Sequence, residues 1–309
     1  MSVMLVTGGA GFIGSHIVER LVGLGHEARV LDDFSTGRRE NLSPFEDSID
    51  IIEGDIRDVS SVERAVKGVE FVFHEAALAS VPRSVADPTS NNDVNVTGTL
   101  NLLVASRDAG VRRFVYASSS SVYGDSPELP KRESMLPSPE SPYAASKLAA
   151  ENYCRIFSSL YGLECVSLRY FNVFGPRQDP GSEYSAVVPL FVTAILEGTP
   201  PTIYGDGEQS RDFTYVANVV DANMLALSAD GAAGEVFNIA CGRTSTINEL
   251  LASVQRIAGT SLTSHHTDPR PGDVKHSFAD ISKAEGTLGL VPKISFDEGL
   301  TLTVDWFRS

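Results

Sequence analysis

Tyr143 and Lys147 stand four residues apart in Ser141-Pro142-Tyr143-Ala-Ala-Ser146-Lys147, so on a helix they share one face. A phenol with pKa near 10 is a poor base at neutrality. Lowering it by about 3 units requires roughly 4 kcal/mol of preference for the phenolate. A unit positive charge about 4.5 Å away supplies that much at an effective dielectric near 20. The pair is therefore read as a proton-transfer couple in which Lys147 and the cationic ring of an oxidised cofactor together draw the phenol of Tyr143 down. Upstream of it in the chain runs Ser118-Ser119-Ser120-Ser121, at the end of an apolar strand pattern. Ligands of open α/β sheets bind at such strand ends.

A second group of residues indicates what the proton transfer is coupled to. Gly8, Gly11 and Gly14 lie between an apolar run, Val3–Thr7, and a helical stripe of Ile13, Ile17, Leu21 and Leu24. A pyrophosphate needs close backbone approach and a helix N-terminus, and glycines between a strand and a helix provide both. Asp32 follows 18 residues after Gly14, at the end of the next strand pattern. A carboxylate there accepts from ribose hydroxyls and repels a 2′-phosphate, which favours NAD over NADP. Arg38 and Arg39 nearby argue the other way, because arginine can hold such a phosphate.

These groups require a framework of alternating elements. Strands are expected at Ala28–Asp32, Ile49–Glu53, Glu70–His74, Arg113–Ser118 and Glu164–Arg169, with helices near Val59–Lys67, Asn92–Asp108 and Pro142–Leu160. Ser141 is the expected N-cap of the last, with Pro142 in its first turn. The pattern predicts an α/β fold, a Rossmann-type doubly wound parallel sheet with a smaller α+β lobe. The dinucleotide domain is placed at 1–173 with a returning segment at about 214–240. The second lobe is placed at 174–213 and 241–309, where Gly and Pro punctuate shorter elements.

Composition limits the partners. The chain has 309 residues and a formal net charge of −15, which argues against nucleic acid and anionic membrane as ligands. No apolar run is long enough for a membrane span, and the start lacks the basic region of a signal peptide. Cys154, Cys165 and Cys241 have unrelated spacings and read as reduced thiols of a cytoplasmic protein. Histidines and carboxylates show no metal-ligand spacing, so no metal is expected.

The strings TGGAGFIGSH, SSSSVYGD, SPYAASK, RYFNVFGPRQDP, GDGEQSRDF and RPGDV resemble the extended short-chain dehydrogenase/reductase family along essentially the whole chain. They are most similar to its UDP-hexose 4-epimerases, particularly the group acting on UDP-N-acetylglucosamine and UDP-N-acetylgalactosamine. The resemblance implies an NAD site formed by Gly8, Gly11, Phe12, Ile13, Gly14, Asp32, Asp33, Ser35, Thr36 and Gly37. It extends along Asp55, Ile56, Ala76, Ala77, Leu78, Asn95, Ser118, Tyr143, Lys147 and Tyr170. It implies Ser119, Tyr143 and Lys147 as the catalytic group. For a UDP-sugar it implies Ser80, Ser119, Ser120, Ser121, Asn172, Gln178, Val188, Pro189, Tyr204, Arg211, Arg270, Asp273 and Ser277.

The implied reaction removes the O4 proton to Tyr143 while hydride leaves C4 for the nicotinamide. The transient 4-keto sugar then presents its other face, and the oxidised cofactor is regenerated. Family members that dehydrate or decarboxylate place an acid directly after the residue at the Ser119 position, where this chain has Ser120 and Ser121. Ser277 replaces a bulky aromatic of the members restricted to UDP-glucose and UDP-galactose, and Ser80 replaces a lysine. That volume suggests room for a C2 acetamido group, with the smaller sugars still admitted. A UDP-glucuronate epimerase, dehydratase or decarboxylase is the alternative within the family, and a non-catalytic NAD sensor a distant one. A homodimer is expected through the helices at Asn92–Asp108 and Pro142–Leu160.

Overall fold

The computed structural model describes residues 2–181, 186–268 and 275–309. Six strands from the N-terminal part of the chain form most of the sheet: β1 (Val3–Thr7), β2 (Glu27–Asp32), β3 (Ile49–Glu53), β4 (Phe71–His74), β5 (Arg113–Ser119) and β6 (Glu164–Tyr170). A seventh, β7 (Val236–Ile239), joins from the far side of the sequence. The order across the sheet is β7-β6-β5-β4-β1-β2-β3, and every pairing is parallel. The order reverses between β1 and β4, which opens a crevice above the C-terminal ends of those two strands.

The strands carry apolar residues on both faces because helices cover both. Met4 and Val6 of β1 pack on one side with Ile17, Val18 and Leu21 of α1 (Phe12–Gly23). Leu5 packs on the other with Val62 and Val66 of α2 (Val59–Val66), and Leu102 and Leu103 of α3 (Thr99–Asp108) join them. Each fully buried side chain of this size contributes roughly 1.5–3 kcal/mol before entropy is counted. The long helix α4 (Pro142–Tyr161) lies on the same face as α2 and α3. Ser141 Oγ accepts from Ala144 N at its start, and Gly162 ends it in the left-handed region with φ of 73°.

The helix expected at Asn92–Asp108 is interrupted. A short helix ends at Asn92, residues Asp93–Gly98 form a π-helical turn, and α3 starts at Thr99. Thr99 Oγ1 donates to the carbonyl of Asn95 at 2.7 Å, a side-chain bond that competes with the regular backbone ladder. The wider turn lets the amide of Asn95 reach Leu78, accepting from its N–H at 2.8 Å.

A second apolar cluster lies beyond β6. It is built from α5 (Val187–Leu196), α7 (Ile247–Ala258) and α8 (Phe296–Arg308), with Phe174, Phe213 and Tyr215 at its centre. Between α5 and α7 in the chain, α6 (Val216–Ala226) packs on α1 against the large sheet. Among the described residues no helix is long and apolar enough to cross a membrane.

Candidate active site

A cavity of about 250 Å³ lies over the switch point of the sheet. It is lined by Gly8, Gly11, Phe12, Ile13, Gly14, Asp32, Asp33, Ser35, Thr36, Gly37, Asp55, Ile56, Ala76, Ala77 and Leu78, together with Glu75. The three glycines of the loop serve different ends. Gly8 has φ of +67°, and a Cβ there would stand 2.7 Å from Ala76 N. A Cβ on Gly14 would stand 2.2 Å from Gly8 O, so the helix can approach the strand only without one. Gly11 meets only Gly8 O, at 3.1 Å, and faces the cavity. Helix α1 begins beside it with no side-chain cap, which leaves first-turn N–H groups directed at this space. The cradle fits a pyrophosphate.

Asp32 closes the other side. Its carboxylate accepts from Ala10 N at 2.9 Å and Phe34 N at 2.8 Å, which fixes its orientation and leaves lone pairs for ribose hydroxyls. Burial raises its pKa, opposed by those two backbone bonds. Arg39 is drawn to Glu53 and lies over the Phe34 ring, and Arg38 donates to Asp179 at 2.8 Å. Both arginines are thus engaged away from the carboxylate.

The Tyr–Lys pair sits where α4 meets the end of β5. Lys147 Nζ is buried and donates to Ala117 O at 2.8 Å. Burial lowers its pKa to about 8, opposed by the negative charge of Glu75. Ser119 hydrogen-bonds the phenol of Tyr143, whose backbone N–H is held by Ser84 Oγ at 3.1 Å. In the protein without its cofactor the Tyr143 pKa is raised. Burial raises it, the Ser119 bond opposes, and Glu75 raises it further. Lys147 does not offset this, because its Nζ points at the Ala117 carbonyl and lies 6.0 Å from the Tyr143 ring centroid.

Asn95 and Ser118 support the site from behind. Asn95 Nδ2 donates to Leu78 O and to Ser146 Oγ, which clamps the cavity wall to α4. Ser118 turns its hydroxyl to Glu151 at 2.8 Å, so that group is spent on a buried ion pair rather than offered to the cofactor channel. Arg169 completes the pair with two bonds to Glu151, one of them 2.5 Å. Neither Glu151 nor Arg169 was signalled by the spacing of the reactive residues, although Glu151 lies four positions beyond Lys147 on the same helix face. Glu75 was also missed. Its only signal is a charged residue directly after the wholly buried strand Phe71–His74.

A second cavity of about 330 Å³ meets the first at Ala79 and is lined by Ser80, Asn172, Val188, Tyr204 and Arg211, among others. Asn172 has φ of 34°, and its side chain donates to Asp212 O at 3.2 Å. Arg211 donates to the carbonyls of Ser210 and Lys275. Pro189 is buried in α5, and Gln178 Nε2 donates to Val173 O at 3.1 Å. Ser121 donates to Ser119 Oγ, with Ser120 between them in a tight turn. Ser277 bonds through its N–H to Ser210 O, one residue from Arg211. Arg270 and Asp273 lie outside the described residues.

The strand order, the glycine cradle and the Tyr–Lys pair define a dinucleotide-dependent enzyme of the short-chain dehydrogenase/reductase class. The chain belongs to the NAD dependent epimerase/dehydratase family, whose model matches residues 4–240. NAD is its cofactor. It is 42% identical to UDP-glucose 4-epimerase of Mycolicibacterium smegmatis, across 99% of this chain and 98% of that protein. Two solved structures are similarly near. UDP-N-acetylglucosamine 4-epimerase from Methanobrevibacter ruminantium M1, in complex with UDP-N-acetylmuramic acid, is 44% identical with a TM-score of 0.95, covering 99% of this chain and 98% of that one. UDP-glucose 4-epimerase of Thermus thermophilus, in complex with NAD, is 44% identical with a TM-score of 0.91, covering 99% of both chains.

Proposed function

We propose that this protein inverts C4 of UDP-hexoses, accepting UDP-N-acetylglucosamine and UDP-N-acetylgalactosamine as well as UDP-glucose and UDP-galactose. The observation that carries this reading is the proton-handling set where α4 meets the end of β5. Tyr143 and Ser119 share a hydrogen bond, and the positions after Ser119 hold hydroxyls, that of Ser121 bonded back to Ser119. One acid/base that takes a proton from an oxygen and returns it to the same oxygen suffices for inversion. Dehydration and decarboxylation need a further carboxyl group directly after the Ser119 position, where this chain has Ser120 and Ser121.

Bound NAD supplies the reversible two-electron oxidation at C4; Gly8, Gly11, Gly14 and Asp32 hold it. Ser119 orients the sugar O4 against Tyr143, which accepts and later returns the proton. Lys147 supplies positive charge beneath the pair. Asn172 and Arg211 anchor the nucleotide in the second cavity, so the hexose can turn about its diphosphate while the uridine stays fixed. Ser80 and Ser277 leave room for an acetamido group at C2.

The test is incubation with UDP-N-acetylglucosamine and, separately, UDP-glucose, with chromatography of the products. Conversion of both to their C4 epimers is expected, with kcat/KM for the N-acetyl sugar at least equal to that for UDP-glucose. Turnover of UDP-glucose alone would remove the N-acetyl assignment. Loss of water or carbon dioxide from a UDP-sugar would remove the epimerase assignment.

A further inference from the structure

The carboxylates lining the cofactor cavity divide between its two ends. Asp32 and Asp55 stand at the end where ribose and adenine are expected, and Glu75 stands by the reacting pair. Two elements hold Glu75 in place. Its Oε1 accepts from Tyr170 Oη of β6 at 2.8 Å, and that oxygen accepts from Asn223 Nδ2 of α6 at 2.8 Å. Asn223 is fully buried, so the chain is anchored in the core.

Among the described residues, the charged and titratable groups around Glu75 are Lys147 and Tyr143 of α4, Tyr116 of β5 and Tyr170 of β6. His74, its neighbour on β4, is turned away, hydrogen-bonded to Thr7 and Thr99, and kept neutral by burial. Lys147 is the cation of this set, and it is bonded to the Ala117 carbonyl. Burial lifts the Glu75 carboxyl to about 7, against the Tyr170 bond and the Lys147 charge. A second cation beside it acts in the same sense as Lys147 and favours the ionised form.

We propose that Glu75 is the fixed counter-charge of the cofactor's reactive ring, held by Tyr170 and Asn223 so that the oxidised, cationic nicotinamide is bound in preference to the reduced, neutral one. A carboxylate a few ångströms from a charge that appears and disappears during the reaction changes the relative affinity of the two forms. An epimerising enzyme gains from this bias. Its cofactor must end each cycle oxidised, and a surplus of the reduced form would strand a keto sugar. The inference rests on NAD dependence and holds for any of the hexoses considered above.

The test compares the protein with Glu75→Gln and Glu75→Asp at pH 8. Each is equilibrated with an equimolar mixture of NAD⁺ and NADH, and the retained cofactor is released and separated by chromatography. Glutamine keeps the size and the acceptor for Tyr170 and loses the charge. The bound NAD⁺:NADH ratio is expected to fall on the order of tenfold in Glu75→Gln, about 30 mV for a two-electron couple. Glu75→Asp should retain at least a third of the original ratio. A ratio unchanged within twofold in Glu75→Gln overturns the proposal. So does equal loss of both cofactors in the two variants, which marks a structural group, and so does aspartate behaving as glutamine does. UDP-sugar turnover is assayed in parallel. A shifted ratio without hexose turnover would leave this inference standing and remove the function proposed above.

Discussion

Tyr143 and Lys147 illustrate how far residue types and spacing carry an argument. The i,i+4 separation identified the pair, and the loop glycines identified its coupling to a dinucleotide. The electrostatics were not legible, because they depend on where Nζ points and on Glu75, which is 68 positions away from Tyr143 in the chain. Tyr143→Phe removes the proton acceptor and leaves the ring packed. Turnover is expected to fall by about 10²–10⁴-fold with NAD binding kept within a few-fold; loss below twofold would show that another group moves the proton. Lys147 also leaves a mark on stability. Its pKa falls from 10.5 in the unfolded chain to about 8 in the fold, so the unfolded state binds more protons between those values. Stability from this group is greatest above 10.5 and is lost as pH falls through 8. Lys147→Met should therefore be more stable than the parent at pH 7, by about 2 kcal/mol in urea titration, with the gap closing towards pH 10. A gap independent of pH would show that the ammonium is not the cause.

At the scale of elements, periodicity placed the strands and α4 to within a residue or two, because β-branched runs and a Ser-Pro start are local signals. It missed the π-helical turn at Asp93–Gly98, which depends on Asn95 bonding Leu78 across the cavity wall. It also missed what fixes α4 to the sheet. Glu151 accepts from Ser118 of β5 and from Arg169 of β6, with both ion-pair partners less than a tenth exposed. Arg169 also lies over the Tyr123 ring, 4.7 Å from its centroid. Breaking a buried pair by removing one charge leaves the other without compensation and costs about 3–5 kcal/mol. Glu151→Gln should reduce stability by that amount in denaturant titration. It should also lower kcat with little effect on KM, because the pair sits beneath Ser119 and Lys147 and away from the second cavity. A fall in KM-dependent affinity with kcat intact would mean that the pair does not position the reacting groups.

On the scale of the whole molecule, the first half of the chain builds a sheet whose neighbours are mostly near in sequence, and it was read with little error. The second half is organised by bonds that span long stretches of sequence, and only its punctuation was legible. Asp212 shows why. It is fully buried, and its carboxylate accepts from Cys241 N at 3.0 Å, Gly242 N at 3.1 Å and Ala279 N at 3.4 Å. Its carbonyl receives Asn172 Nδ2, and its neighbours Arg211 and Phe213 line the second cavity. One side chain thus ties the end of β7 and the Ala279 segment to the wall of the proposed nucleotide site. Burial raises its pKa to about 6 despite the backbone donors, which marks how completely it is removed from water. Asp212→Ala leaves those donors without an acceptor, at about 1–3 kcal/mol for each that finds no other. A total loss of about 3–5 kcal/mol is expected by thermal or urea denaturation. The functional consequence should be confined to one cavity: affinity for the UDP-sugar falls at least fivefold while affinity for NAD stays within twofold, because the glycine cradle, Asp32 and Glu75 have no bond to Asp212. Calorimetric titration with each ligand separates the two. Equal loss of both would show that the two cavities are coupled through the sheet.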